Sequence, residues 1–256
     1  MKKKIIITII ILIGIAGLVV GAIITLKNIP VKDVKINISY LSDDKMLWAD
    51  DVHNALIYHF GELKGVKCKA INTKEIQQYL NKINFIYSCE VELGILGTLT
   101  INIQQKIPIA KIITVSKKQV YLSNDASLLQ TIPSVSADVM IINGYISIAK
   151  AAKDTTNNKI LSDVYLLAHK VYHDTLLNKQ IAQIYVNKDK TFDLFPLEGN
   201  YTIKFGGIDS LDSKIKRLVI FYEKGEVTNE DWKNIYQINL SINNQVVCSK
   251  KDKVLL

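Results

Sequence analysis

The chain has 256 residues, 32 Lys+Arg against 24 Asp+Glu, a net charge of +8, and 48% hydrophobic residues. That length allows one long or two ordinary domains. Lys2, Lys3 and Lys4 hold three of the charges, leaving +5 with no long Lys/Arg block, which argues against nucleic acid and fits acidic partners or an anionic lipid surface.

Residues 5–26 are an apolar run of 22 residues without a charge, set between Lys2-Lys3-Lys4 and Lys27. As a helix the run reaches roughly 33 Å, enough for a hydrocarbon core of about 30 Å. It predicts one transmembrane helix, with residues 1–4 as a cytoplasmic tail by the positive-inside rule and everything after the run on the other side. Lys27, Lys32 and Lys35 weaken that charge asymmetry, and no second span returns the chain. A cleaved signal peptide is the rival, with Val20-Gly21-Ala22 as its small-residue site, but the run outlasts an h-region of about 7–15 residues. Gly17 and Gly21 have the spacing that lets membrane helices approach closely.

A linker with Pro30 follows, and residues 31–108 read as one domain. Val34, Ile36, Ile38 and Tyr40 alternate with polar residues, the period of a half-buried strand. Val52, Ala55, Leu56, His59 and Phe60 have helical spacing behind Asp50 and Asp51, and Gly61 and Gly65 end that helix. A second helix starts at Asn72 with Glu75 three residues on, as in a capping box, and its stripe is Ile76, Leu80 and Ile83. In the next strand Phe85, Tyr87, Cys89, Val91 and Leu93 point one way and Ser88, Glu90 and Glu92 the other. Residues 94–97 supply a turn, and Leu99, Ile101 and Ile103 form the returning strand. Residues 105–108 close the unit, Pro108 being expected to end ladder pairing. The order is strand, helix, helix, strand, strand, with the helices on one face.

Residues 109–250 predict a second, mixed α/β sheet domain, and residues 251–256 a tail. Strands are expected around 120–122, 128–129 and 139–142, with turns at 123–125 and at Asn143-Gly144. Ile160, Val164, Leu167 and Val171 mark an amphipathic helix. Strands at 181–186, 192–195 and 201–205 precede the break Gly206-Gly207, and Leu211, Ile215, Leu218 and Tyr222 mark another helix. Two last strands, 236–240 and 245–248, are joined as a hairpin by Asn243-Asn244. The fold class is thus α+β.

His169 and His173 lie four apart on a predicted helix, a metal-ligand spacing, but no neighbouring glutamate or third ligand accompanies them. His53 and His59 share a helix in the same way. Glu90 and Glu92 on one strand face resemble a carboxylate pair, but side chains alternating on a solvent-facing sheet surface make a solvated edge the better account. Gly-x-Ser-x-Gly, a Gly-rich phosphate loop and Cys-x-x-Cys are all absent, so no enzyme, cofactor, metal or small-molecule substrate is expected. Cys68, Cys89 and Cys248 cannot all pair; they allow one disulfide, Cys68–Cys89, or three free thiols used as small apolar residues.

The cytoplasmic stub, single span and strand-helix-helix-strand-strand order resemble a membrane-proximal POTRA domain. Val91-Glu92-Leu93 followed by Leu99-Thr100-Ile101-Asn102-Ile103-Gln104-Gln105-Lys106-Ile107-Pro108-Ile109-Ala110 is similar to the FtsQ/DivIB signature. So are Tyr121-Leu122, Pro133, Ile142-Asn143-Gly144, Phe205-Gly206-Gly207, Lys214 to Leu218 and Ile238-Asn239-Leu240, in an Ile/Asn/Lys-rich style that resembles the Bacteroidetes branch. The resemblance covers essentially the whole chain. It implies a single-pass inner-membrane scaffold at the division septum, its domains in the periplasm, contacting other divisome components. It also implies binding of FtsB/FtsL-like bitopic coiled-coil proteins by strand addition at the last sheet edge. The residues it points to are Ile238, Leu240, Ile242, Gln245, Val246, Val247, Cys248 and Lys250. Ile242 and Lys250 stand where proteobacterial members carry aromatic residues. Another POTRA-bearing protein of secretion or outer-membrane assembly is the alternative, and a cell-envelope enzyme a more distant one.

Overall fold

The computed structural model describes residues 12–17, 28–132, 135–149, 153–156, 158–225, 229–242 and 244–250. Of the expected span at 5–26, residues 12–17 are helical and the rest, Gly21 included, lies outside the described residues. Among the described residues no helix is long and apolar enough to cross a membrane. The chain divides into two compact units, Met1–Gln105 and Lys106–Leu256, and the α+β class holds with one sheet in each.

The first unit runs β1 (Asp33–Ser39), α1 (Ala49–Phe60), a 3-10 turn (Cys68–Ala70), α2 (Thr73–Leu80), β2 (Ile86–Leu93) and β3 (Thr98–Gln105). β3 is the central strand, parallel to β1 and antiparallel to β2. Its alternation explains that place: Leu99, Ile101, Ile103 and Gln105 are all buried on one face, where Val52 and Leu56 of α1 and Ile76 and Leu80 of α2 are also in the core. Asn72 caps α2 by accepting from Glu75 N at 3.2 Å, but Glu75 Oε2 accepts from Asn72 Nδ2, also at 3.2 Å, so the box closes between side chains. Ile83 sits beyond the end of α2, half-buried.

One expectation fails here, the placing of Tyr87 on the apolar face of β2. A register shift between Ile86 and Ser88 makes a bulge at Tyr87. The bulge advances the strand's phase by one residue, so Ile86 and Cys89 face the core and Tyr87 is exposed. The buried Gln105 side chain pins the loop before α1: Oε1 accepts from Met46 N at 2.7 Å and Leu47 N at 3.0 Å, and Nε2 donates to Asp44 O at 2.8 Å.

The second unit runs β4 (Pro108–Ile113), β5 (Gln119–Ser123), β6 (Leu128–Gln130), β7 (Met140–Gly144), α3 (Lys159–His173), α4 (Leu177–Gln180), β8 (Ile181–Val186), β9 (Phe192–Pro196), β10 (Thr202–Gly206), α5 (Leu211–Lys224), α6 (Asn229–Asn234), β11 (Ile235–Asn239) and β12 (Val247–Lys250). Its nine strands lie in the order β12-β11-β10-β9-β8-β7-β4-β5-β6. A single cross-strand row, Ile112, Ile142, Ile184, Leu194, Ile203 and Ile238, runs across six of them, and every member is wholly buried. Val164, Leu167 and Val171 of α3 and Ile215 and Leu218 of α5 complete that core. Asn158 caps α3 by accepting from Ile160 N and Leu161 N.

Pro108 opens β4 opposite Ser123 instead of ending a ladder, a first-residue position that needs no donor. Asn143 and Gly144, expected as a turn, belong to β7 and pair with Tyr185 and Val186 of β8. Gly144 has φ 102°, and a Cβ there would run into the Val186 carbonyl, so the glycine serves close strand approach.

Candidate partner-binding edge

β12 is an outermost strand of the nine-stranded sheet, paired with β11 through Asn239↔Val247, Ile238↔Cys248 and Gln237↔Ser249. Its other side has no strand neighbour among the described residues. The eight residues singled out from the sequence divide in two. Ile238 and Leu240 are wholly buried, because Ile238 ends the cross-strand apolar row and Leu240 N still donates to Lys204 O at 2.9 Å. They seat the hairpin and offer no side chain to a partner in this fold. Ile242, Gln245, Val247 and Lys250 are exposed, and Val246 and Cys248 half-buried. Burial pushes the Cys248 thiol above its usual range, against a smaller downward pull from Lys250. All three cysteines are free thiols, with Cys89 in the core of the first unit, where burial and then Glu90 push it up to about 11.

The hairpin is held from behind by a residue that sequence reading passed over. Arg217 on α5 is the one arginine of the chain. Its Nη1 donates to Ile242 O at 2.9 Å and to Gln245 O, and its Nη2 to Leu240 O at 3.2 Å. A planar fork can reach three carbonyls of one loop at once, which an ammonium cannot match. The signal was available: a lone arginine among 32 basic residues marks a position where lysine does not suffice. One helical turn earlier, the buried Lys214 ammonium donates to Gly207 O at 2.9 Å, pairs with Asp209 at 3.1 Å, and lies 5.5 Å from the Phe205 ring centre. Gly206, at φ 77°, brings β10 against the same loop, since a Cβ there would sit 2.9 Å from Ser241 Cβ. Asn239 Oδ1 closes the turn by accepting from Ser241 N and Oγ at 2.9 and 2.7 Å. Two cations one turn apart on α5 thus fix both the β10–α5 loop and the β11–β12 connection.

The second unit also holds an open cavity of about 670 Å³, lined by Gln180, Tyr201, Tyr222, Trp232, Lys233 and the 198–200 loop. Tyr222 and Trp232 stack at 5.8 Å, and the Tyr201 and Tyr222 hydroxyls are 3.0 Å apart. Burial, and then the Tyr201 hydroxyl, push the Tyr222 phenol far up. Trp232, Tyr222 and Phe221 also pack on the core beside α6, so the cluster reads as a buttress.

The remaining sequence candidates are accounted for in place. The His169 and His173 rings are 4.3 Å apart, His173 Nε2 is 2.7 Å from Asn124 Oδ1, and burial, then His173 and Lys170, lower the His169 pKa. Among the described residues no group of three His, Cys, Asp or Glu side chains has metal-holding geometry. His53 is half-buried, and His59 stacks on Tyr79 at 4.1 Å. Glu90 and Glu92 are both exposed on the polar face of the three-stranded sheet, where Asn37 Nδ2 also donates to Asn102 Oδ1 at 2.8 Å.

Residues 107–249, a stretch that takes in the whole nine-stranded sheet up to β12, match the family model described as FtsQ/DivIB, C-terminal related. The chain belongs to this family. None of the curated proteins matches the chain. The FtsQ/DivIB family consists of non-catalytic scaffolds of cell division, which gives this chain a cell-division role, division proteins as its partners in general, and a place at the division site. Arg217, Lys214 and the β11–β12 hairpin up to Ser249 fall inside the matched region.

Proposed function

We propose that this FtsQ/DivIB chain is a bitopic scaffold of the inner membrane, anchored by residues 5–26 with its two domains in the periplasm. Residues 31–108 act as a POTRA-like unit that recruits the protein to the septum. Residues 109–250 hold FtsB/FtsL-like coiled-coil proteins, a partner strand adding to β12 and contacting Ile242, Gln245, Val246, Val247, Cys248 and Lys250, with Ile238 and Leu240 seating the strand. One observation carries this reading: β12 is an edge strand, fixed from behind by Arg217, with no strand neighbour on its outer side among the described residues. Such an edge offers unpaired backbone groups, and strand addition satisfies them with main-chain hydrogen bonds.

The test is a pull-down from detergent-solubilised cells with a tagged full-length chain, read by mass spectrometry. Recovery of small bitopic coiled-coil proteins is the expected result. Truncation after Leu240, or Val247→Glu with an unchanged circular dichroism spectrum, should abolish or weaken that recovery. Normal capture by the truncated chain would sink the edge-strand reading, and recovery of outer-membrane barrels or secretion channels instead would replace the division partners altogether.

A further inference from the structure

The β2–β3 hairpin ends in Gly94-Ile95-Leu96-Gly97, and its two large apolar residues stand out in solvent, Ile95 72% and Leu96 71% exposed. The turn is well formed: Gly94 N donates to Thr98 O at 2.8 Å, Gly97 N to Gly94 O at 3.0 Å, and Gly97 takes φ 87°. Hairpin turns in water favour Gly, Asn, Asp and Ser because those residues suit the backbone and hydrate well. An Ile-Leu pair is costly there unless something apolar covers it.

The tip's surroundings say what covers it. Gly97 packs on the first residues after the apolar run: a Cβ on it would be 2.5 Å from Pro30 O and 3.2 Å from Ile29 Cγ2, and its own carbonyl accepts from Lys32 N at 2.8 Å. Ile29 is three residues beyond Leu26, the end of the run, so the chain between them spans at most about 11 Å. The same end of the unit is basic. Lys67 forms a bridge with Pro30, Lys69 lies in the 3-10 turn whose Cys68 N donates to Ile29 O at 2.9 Å, and Lys64 precedes Gly65, whose N donates to Val31 O at 2.7 Å. Lys32, Lys64, Lys67 and Lys69 are all exposed, against Asp33, Glu62 and, two residues before the turn, Glu92 as the acidic residues of that end.

We propose that Ile95 and Leu96 dip into the membrane interface, with the surrounding lysines on anionic lipid headgroups, so that the first unit is held against the bilayer surface at a second point besides its anchor. The inference rests on residues 5–26 being a span. Apolar side chains at headgroup depth flanked by lysines have the composition of interfacial binding elements, and anionic lipid attracts basic residues within a Debye length of the surface. Two points of attachment restrict the tilt of the unit, which a single linker at Asn28 does not.

The experiment uses the full chain in nanodiscs of mixed anionic and zwitterionic lipid, with Ile95→Trp and Leu96→Trp read against the parent chain, whose own tryptophans are Trp48 and Trp232. Lipids brominated near the headgroup end of the acyl chain should roughly halve the added emission, as expected for a side chain seated at the interface. Replacing Lys32, Lys67 and Lys69 by Gln, or the anionic lipid by a zwitterionic one, should weaken that quenching. Unquenched emission from chains that resist alkaline carbonate extraction overturns the tip proposal and leaves the anchor standing. Release of the chain by carbonate overturns the anchor, and the tip's placement with it. Loss of a captured protein in Ile95→Asp/Leu96→Asp, with the tryptophan unquenched, makes the tip a protein contact and also refutes lipid docking.

Discussion

Replacing Arg217 by Met should loosen β12 without unfolding the second unit. The guanidinium donates to three carbonyls of the β11–β12 connection, those of Leu240, Ile242 and Gln245. A hydrogen bond from a charged group is worth about 1.5–3 kcal/mol when buried, and half-exposure here reduces each to about 1 kcal/mol. Loss of all three then costs about 2–3 kcal/mol of local stability, a rise of roughly 30- to 150-fold in the opening of the strand. Arg217→Lys keeps the charge but not the fork and should retain only about one of the three bonds. The assay is amide hydrogen exchange on the full chain, comparing the β12 amides that pair with β11 against those of β8 in the sheet interior. Protection should fall at β12 and hold at β8. Equal protection of β12 in wild type and Arg217→Met would falsify the clamp, and the same loss at β8 would show global destabilisation instead.

Gln105→Leu removes the acceptor for two buried backbone N–H groups, Met46 and Leu47, and should cost about 2–4 kcal/mol in urea unfolding, with faster proteolysis at 41–48. Unchanged cleavage there would show that the loop is held by other contacts. Asp209→Ala leaves the buried Lys214 ammonium with only Gly207 O and the Phe205 ring, and should destabilise the second unit by about 1–3 kcal/mol although Asp209 itself is largely exposed. Denaturant midpoints measure this, and a neutral result would mean that solvent reaches the ammonium. At Asp125, burial by itself raises the carboxyl. The Ser127 hydroxyl and amide at 2.5 and 3.1 Å, with the Lys106 ammonium at 3.2 Å, outweigh it and hold the group below its usual 3.8. A lowered native value stabilises the fold above pH 3.8 and is lost as the pH falls through it, so Asp125→Asn should flatten the acid limb of the stability–pH curve. Parallel acid limbs would refute this.

Much of both units was legible in local pattern. The alternation of Leu99, Ile101 and Ile103 and the stripe of Val164, Leu167 and Val171 announced a strand and a helix, because backbone geometry sets periods of 2 and 3.6 within a few residues. The order of the motifs also carried the family. The exposure of Tyr87 was not legible, since one bulge at the start of β2 turns that residue to solvent without any change in composition, while Cys89, Val91 and Leu93 keep the expected face. Nor was the clamp: Arg217 and the carbonyls it holds are more than twenty residues apart and meet only when α5 packs behind the last hairpin.

By itself, then, the sequence determined most of the longer strands and helices, the α+β class, the charge-free run at 5–26 and the family. Tertiary structure alone decided that β10 lies parallel to β11, that Ile238 and Leu240 are core while Ile242 and Val247 are surface, and that β12 rather than an inner strand is an edge. The physical reason is that periodicity records which side of an element is apolar. Strand order and edge position depend on which distant segments share one buried row, and here that row runs from Ile112 to Ile238 across six strands.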